Sequence, residues 1–381
     1  MRTLLTRPAA VTRILALGSA AAVLAYVAVA VGGTAGATAR SARPSIAYVV
    51  NYDDGTVTPV NTVTRKAGRA ISLPESGQHD GATAIAITPN GRTAYVVNGG
   101  DEVSSVTPIS TATNKPGRAI PTPANPGYIV ITPNGKTAYV LAGQLYAIST
   151  ATNTVRAKIP TGGGGTGLII SRDGKTVYAR SYLNTVTPVS TATNTARKPI
   201  PVKSPMGFAL TPNGATLYVS DWNQNTVIPV STATDTAGPP IKVGQLPGNI
   251  VMTPNGKTAY VANADSQTVT PISTATDKPG RAIKVPLLYT PGTMAITPDG
   301  KTLYVVSYTG AVRPVSTATG KVGRAIRLPA GVQATQIAIA PGGKTAWTLD
   351  GDTVTPISTA TNKAGRPIKV GSDPIAIAFT P

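Results

Sequence analysis

The chain has 381 residues, a formal charge of +19 from 34 Lys and Arg against 15 Asp and Glu, and no cysteine. The missing thiol excludes disulfide staples, thiolate metal sites, thiol catalysis, haem c attachment and lipoprotein acylation. One histidine, His79, excludes a multi-histidine metal centre, and the positive balance favours anionic partners.

At the N-terminus, residues 1–13 carry Arg2, Arg7 and Arg13 without an acid. Residues 14–31 (ILALGSAAAVLAYVAVAV) are apolar, and the A-x-A patterns Ala35-Gly36-Ala37 and Ala37-Thr38-Ala39 follow. This order predicts a secretory signal over 1–39, cleaved to leave Thr38 or Arg40 first, which lowers the charge from +19 to +16. The apolar run also reaches the lower limit of a membrane span, so a retained N-terminal anchor is the alternative. Either way the bulk of the chain is expected outside the cytoplasm, extracellular or on the cell surface. Residues 40–45 read as a short linker and 46–381 as one domain.

That domain repeats itself. The motif exemplified by TVTPISTATN has its centre at Pro59, Pro108, Ala147, Pro188, Pro229, Pro271, Pro314 and Pro356, with steps of 49, 39, 41, 41, 42, 43 and 42 residues. A period of about 40–45 residues in a Gly/Pro/Thr-rich, β-branched sequence predicts a toroid of four-stranded blades.

One copy, residues 292–328, shows the elements in order. GTMAITP alternates and meets the Asp299-Gly300 hairpin signal, KTLYVVS is a second strand and AVRPVST a third. ATGKVG reads as a turn and RAIRLP as the fourth, outer strand. The second-strand aromatics Tyr48, Tyr95, Tyr139, Tyr178, Tyr218, Tyr260, Tyr304 and Trp347 recur at one place in each copy. They read as packing between adjacent blades rather than as a stacking platform.

The chain ends specify closure. The domain begins with a second strand (45–51) and finishes with an unpartnered first strand, DPIAIAFTP (373–381). Pairing them completes an eighth blade, removes the exposed edges of an open stack and locks the ring without a disulfide. The expected fold is therefore an all-β, eight-bladed β-propeller of four-stranded antiparallel blades. Seven blades would leave one repeat unhoused. Seven of the eight third strands carry a central proline, which cannot donate a ladder hydrogen bond, so weak pairing is expected toward a short or bulged fourth strand. That edge strand carries Lys242, Lys284, Arg327 and Lys369, which oppose edge-to-edge aggregation.

AYVVN, AYVAN and TVTPISTATN at this period resemble the YVTN-type β-propeller repeat of bacterial and archaeal surface and secreted proteins. That repeat is similar in fold to the lactonase and cytochrome cd1 propellers. The resemblance covers about 46–381 and implies the fold while leaving the activity open. The third-strand proline departs from the family's usual aliphatic residue.

Propeller connectivity sorts the charges onto two faces. Arg92, Lys136, Lys175, Lys257, Lys301 and Lys344 fall in first-to-second hairpins. Lys66/Arg69, Lys115/Arg118, Arg197/Lys198, Lys278/Arg281, Lys321/Arg324 and Lys363/Arg366 join them from the longer turns, opposed by Asp173, Asp235, Asp277 and Asp299. The other eleven acids, among them Asp53, Asp54, Asp221 and Asp350, fall on the second face with Tyr52, Tyr182, Trp222, Tyr289 and Tyr308. Repeat duplication of a soluble turn would also produce such a basic face.

Catalytic motifs are weak. Glu75, His79 and Asp80 lie in the longest departure from the repeat, 73–83, where the bland reading is an exposed loop. TGGGGTG (161–167) precedes a strand rather than the helix N-terminus a phosphate cradle needs. NYDDGT (51–56) and DGDT (350–353) read as solvated turns rather than calcium loops.

The reading is a secreted or surface-attached, non-enzymatic binding scaffold, expected to be monomeric and to need no cofactor or metal. The partner face is Tyr52, Asp53, Tyr182, Trp222, Tyr289 and Tyr308, for an unidentified protein or carbohydrate. The basic face would meet an anionic envelope polymer or a membrane surface. A lactonase-like or lyase-like enzyme with its site at the channel mouth is the alternative, disfavoured by the apolar first strands. Single-stranded nucleic-acid binding ranks lower because aromatics and bases fall on opposite faces.

Overall fold

The computed structural model describes residues 45–74, 81–99, 104–123, 125–285, 293–307, 310–329 and 334–381. The expected signal segment, Glu75, His79, Asp80, Asp101, Glu102, Tyr289 and Tyr308 lie outside the described residues.

Eight antiparallel sheets follow one another, each ordered inner, second and third strand, with an outer strand in seven of them. Consecutive inner strands touch all the way round, and the last, Pro374–Phe379, touches the first, Ala82–Ile87. The architecture is an eight-bladed propeller, as the repeat count requires.

Closure is built from the two ends of the domain. Pro374–Phe379 pairs antiparallel with Ile46–Asn51, setting Ala47 opposite Phe379 and Val50 opposite Ala376. Ser45 Oγ donates to the Thr380 carbonyl at 2.7 Å, and Ser372 N donates to Asp54 Oδ2 at 2.8 Å. These bonds span more than 300 residues of chain, so the ring holds its own termini together.

The core lies between blades. Eight buried clusters occupy the eight junctions; the closing one sets Trp347, Leu349 and Val354 against Ala47, Val49, Val60, Ile377 and Phe379. The recurrent tyrosines sit there, and their hydroxyls carry a second function. Tyr48 Oη donates to Asn114 Oδ1 of the next blade at 2.6 Å, Tyr95 to Asn153 at 2.7 Å, and Tyr304 to Asn362 at 2.6 Å. Each acceptor occupies a left-handed turn position, which Asn and Asp tolerate better than most residues. The STATN and STATD motifs therefore belong to a clasp between neighbouring blades, and burial raises the hydroxyl pKa of Tyr48 to about 12.

The proline question resolves in the outer strands. Ile46–Asn51 pairs with Thr56–Asn61 without interruption, so Pro59 costs nothing on its inner side. Its carbonyl accepts from Gly68 N at 2.7 Å, which shows that its backbone faces the outer strand. There the partner is split into Lys66–Ala67 and Ile71–Ser72, leaving a gap opposite the proline. Blade three, with Ala147 in place of proline, has one continuous outer strand, Thr154–Ile159. The outer strand thus begins inside the segment read as a turn. Lys66 and its counterparts Lys115, Lys278 and Lys363 are strand residues. In the copy at 292–328 the outer strand reduces to two bridges, Val312 to Ile326 and Val315 to Val322.

Candidate functional site

Two regions differ from a plain repeat scaffold: a ring of bases on one face and a ring of varied residues at the opposite mouth.

The basic face is organised by threonine. Thr111 Oγ1 donates to the Gly91 carbonyl at 2.5 Å, pinning the third-to-outer turn beside the inner-to-second hairpin of the same blade. Thr150, Thr191, Thr274, Thr317 and Thr359 repeat the contact with Gly135, Gly174, Gly256, Gly300 and Gly343. The hairpin residues Arg92, Lys136, Lys175, Lys257, Lys301 and Lys344 therefore occupy equivalent places on one face, and all six are exposed. Among the described residues only Lys175 of the six has an ion-pair partner, Asp173, at 3.9 Å. Asp235 is drawn away from this face's solvent-facing charge by Arg197, 2.8 Å distant, and burial raises its pKa.

At the other end, the partner-face residues scatter. Tyr52 packs its ring against Gly81, and Asp53 accepts from Ser372 Oγ at 3.1 Å, so this carboxylate serves the closure loop. Trp222 is half-buried, its amide bonded to the Ser204 carbonyl at 2.9 Å. Tyr182 is 59% exposed and leans over Gly164. The acids of DGDT are likewise engaged: Asp352 pairs with Lys369 at 3.7 Å, and Asp350 accepts from Thr348, Thr353 and Thr355.

The feature that sequence reading missed lies at one level of the inner strands. Strand registers align Ala376, Ala84, Tyr128, Gly167, Gly207, Asn249, Thr293 and Gln336, one per blade, while the next positions inward along each strand stay aliphatic or aromatic. Several of these stitch neighbouring blades: Asn249 Oδ1 accepts from Met294 N at 3.2 Å, and Gln336 Nε2 donates to the Ile375 carbonyl.

Opposite this level, second strands carry Val50, Val97, Leu141, Ser220, Ala262, Val306 and Leu349, and in blade four Arg180. Arg180 pairs directly across from Gly167. A Cβ on Gly167 would lie 3.2 Å from Arg180 Nε and Nη2 and 3.1 Å from Phe208 Cζ, so glycine leaves the path by which the side chain folds inward. The guanidinium donates to the Thr166 carbonyl and lies 5.4 Å from the Phe208 ring centroid, a cation–π distance. The Tyr128 and Tyr182 phenols are its electrostatic neighbours, and burial depresses the pKa of Arg180 while raising that of Tyr128 to about 12. The legible signal was TVYARS, where a charge interrupts the apolar half of the TAYVVN pattern.

No protein-family model and no curated protein matches the chain. Solved structures do. Dihydro-heme d1 dehydrogenase NirN, solved in complex with DHE, is similar at 13% identity and a TM-score of 0.72 over 86% of this chain and 73% of that one. A functionally unknown protein from Desulfotomaculum acetoxidans is similar at 17% identity and a TM-score of 0.59, over 88% of this chain and 98% of that one. A putative 6-phosphogluconolactonase from Bacteroides uniformis shows 16% identity and a TM-score of 0.57, over 88% of this chain and all of that one. At these identities the likeness shows the propeller fold alone.

Proposed function

We propose that this propeller is a non-enzymatic binding scaffold of the cell surface or exterior, of the YVTN-repeat type, which rests on an anionic envelope polymer through its basic face. The carrying observation is the ring of six exposed hairpin bases, five of them outside any ion pair among the described residues. Like charges held at equivalent places around a ring sum into a field that a flexible polyanion can follow, weakening over a Debye length of about 8–10 Å. The signal-like N-terminus supports export. The opposite mouth supports binding over acid–base catalysis, because none of its eight varied residues is a carboxylate or an imidazole.

The test is retention of the protein on immobilised anionic wall polymer across a salt gradient, with neutral polysaccharide as control. Retention is expected at low salt and release at high salt. Charge reversal at Lys257, Lys301 and Lys344 together should shift release to lower salt. Salt-independent retention, or an unchanged profile in the triple variant, overturns the reading. Preference for anionic vesicles over the polymer would move the partner to the membrane surface.

A further inference from the structure

The geometry points to a second binding site, at the mouth opposite the basic face, that takes a small flat carboxylate on Arg180. The site is independent of the polyanion contact.

Arg180 is 6% exposed, and no carboxylate pairs with it among the described residues. A guanidinium removed from water without a counter-charge is destabilising, and its cost falls when an anion joins it. Of its donors, one nitrogen reaches the Thr166 carbonyl and the Tyr128 hydroxyl is a second hydrogen-bonding neighbour, while Nε and Nη1 are left without a well-aligned acceptor. These two nitrogens are the unmet demand of the site, and a carboxylate supplies both charge and lone pairs.

The surroundings cannot supply that charge themselves. Tyr128, with its pKa raised to about 12 by burial, stays a neutral phenol at physiological pH. Phe208 offers a π-face at 5.4 Å from the guanidinium carbon, and both rings are half-buried. Aromatic walls around a fixed cation favour a flat anion that lies along the rings over a compact, strongly hydrated one.

Duplication does not account for the site. The seven sister positions of Arg180 are Val, Leu, Ser or Ala, so the charge arose in this blade alone. It coincides with glycine directly across the strand pair, and with aromatics on the inner strands of the preceding and following blades. Gln336 and Asn249 join blades at this level with neutral amides, whereas Arg180 brings a buried charge to it.

The experiment is calorimetric titration of the full-length protein with benzoate, succinate, phosphate and uncharged benzamide, repeated on Arg180→Leu. Leucine occupies the same register at positions 141 and 349, so the variant is expected to fold, with a Tm equal to or above the parent's. Benzoate should bind the parent most tightly, succinate more weakly and benzamide not at all. Arg180→Leu should lose at least tenfold in benzoate affinity while keeping its salt-dependent retention on anionic polymer. Benzoate affinity unchanged in Arg180→Leu, no benzoate binding to the parent, or phosphate binding in preference to benzoate would each overturn the proposal. A variant that loses Tm but retains benzoate binding would assign Arg180 a structural role only.

Discussion

In the third strands, blade three replaces a proline with Ala147, and the register between second and third strands is the same with either residue. At the mouth, the aligned inner-strand level carries six residue types in eight blades, and Asn249, Gln336, Gly167 and Gly207 each make a different contact there. The second-to-third strand pairs are interchangeable because their residues meet in the same register in every blade. The mouth is not, because there the side chain at the shared level changes from blade to blade at most junctions. Selection on a repeat protein can act at such a level without disturbing the ring.

Exchanging residues between sister blades tests that contrast. The largest effect is expected at Gly207→Ala, although alanine is native at the equivalent positions 84 and 376. A Cβ there would strike the Gly248 carbonyl oxygen of the next blade, and backbone cannot swing aside as a flexible side chain can. Overpacking of this kind costs about 1–3 kcal/mol. Denaturant midpoints will measure it, and a neutral result would show the mouth to be as permissive as the rim.

Asp350→Asn should have a smaller effect with a defined pH signature. Burial raises the pKa of Asp350, so the native state binds its proton more tightly than the unfolded chain does. The carboxyl's contribution is therefore greatest below the ordinary carboxylate range and is lost as pH rises through the raised folded value. Asn51, Asn98 and Asn263 fill the sister positions, and Asn51 donates to Thr56 and Thr58 at 2.9 and 3.0 Å. The asparagine variant should equal or exceed the parent at neutral pH, by on the order of 1 kcal/mol. Thermal melts should show that advantage shrinking as pH falls; an advantage that grows in acid contradicts the buried-carboxylate account.

Ala147→Pro should matter least. It removes one donor facing the outer strand, worth about 0.5–1.5 kcal/mol, and restricts the unfolded chain, which returns about 0.4–1 kcal/mol. A net change within about 0.5 kcal/mol is expected, with faster amide exchange confined to the middle of Thr154–Ile159. A loss well beyond that range would mean that blade three differs from its sisters in more than one residue's donor.

Much of the ring is legible in the order of the residues. Aromatic spacing, Asn-Gly hairpins and an unpaired first strand at the C-terminus are local signals, each repeated or placed so as to fix blade number and closure. The Tyr48–Asn114 clasp is half legible: both motifs stand out, but nothing in either shows that they meet across a junction. Strand connectivity assigns Asp53 to the varied face, and only the structure shows its carboxylate accepting from Ser372 in the loop that closes the ring.

The sequence alone determined what repeats: strand order, turn chemistry, the basic hairpins and the pairing of the two ends. Only the tertiary structure decided what converges. Tyr128, Gly167 and Arg180 share one level, and Phe208 sits one residue along its strand from it in the next blade, because antiparallel register and ring closure bring three successive blades together there. Periodicity reports contacts within a repeat, and this cluster is made where repeats meet.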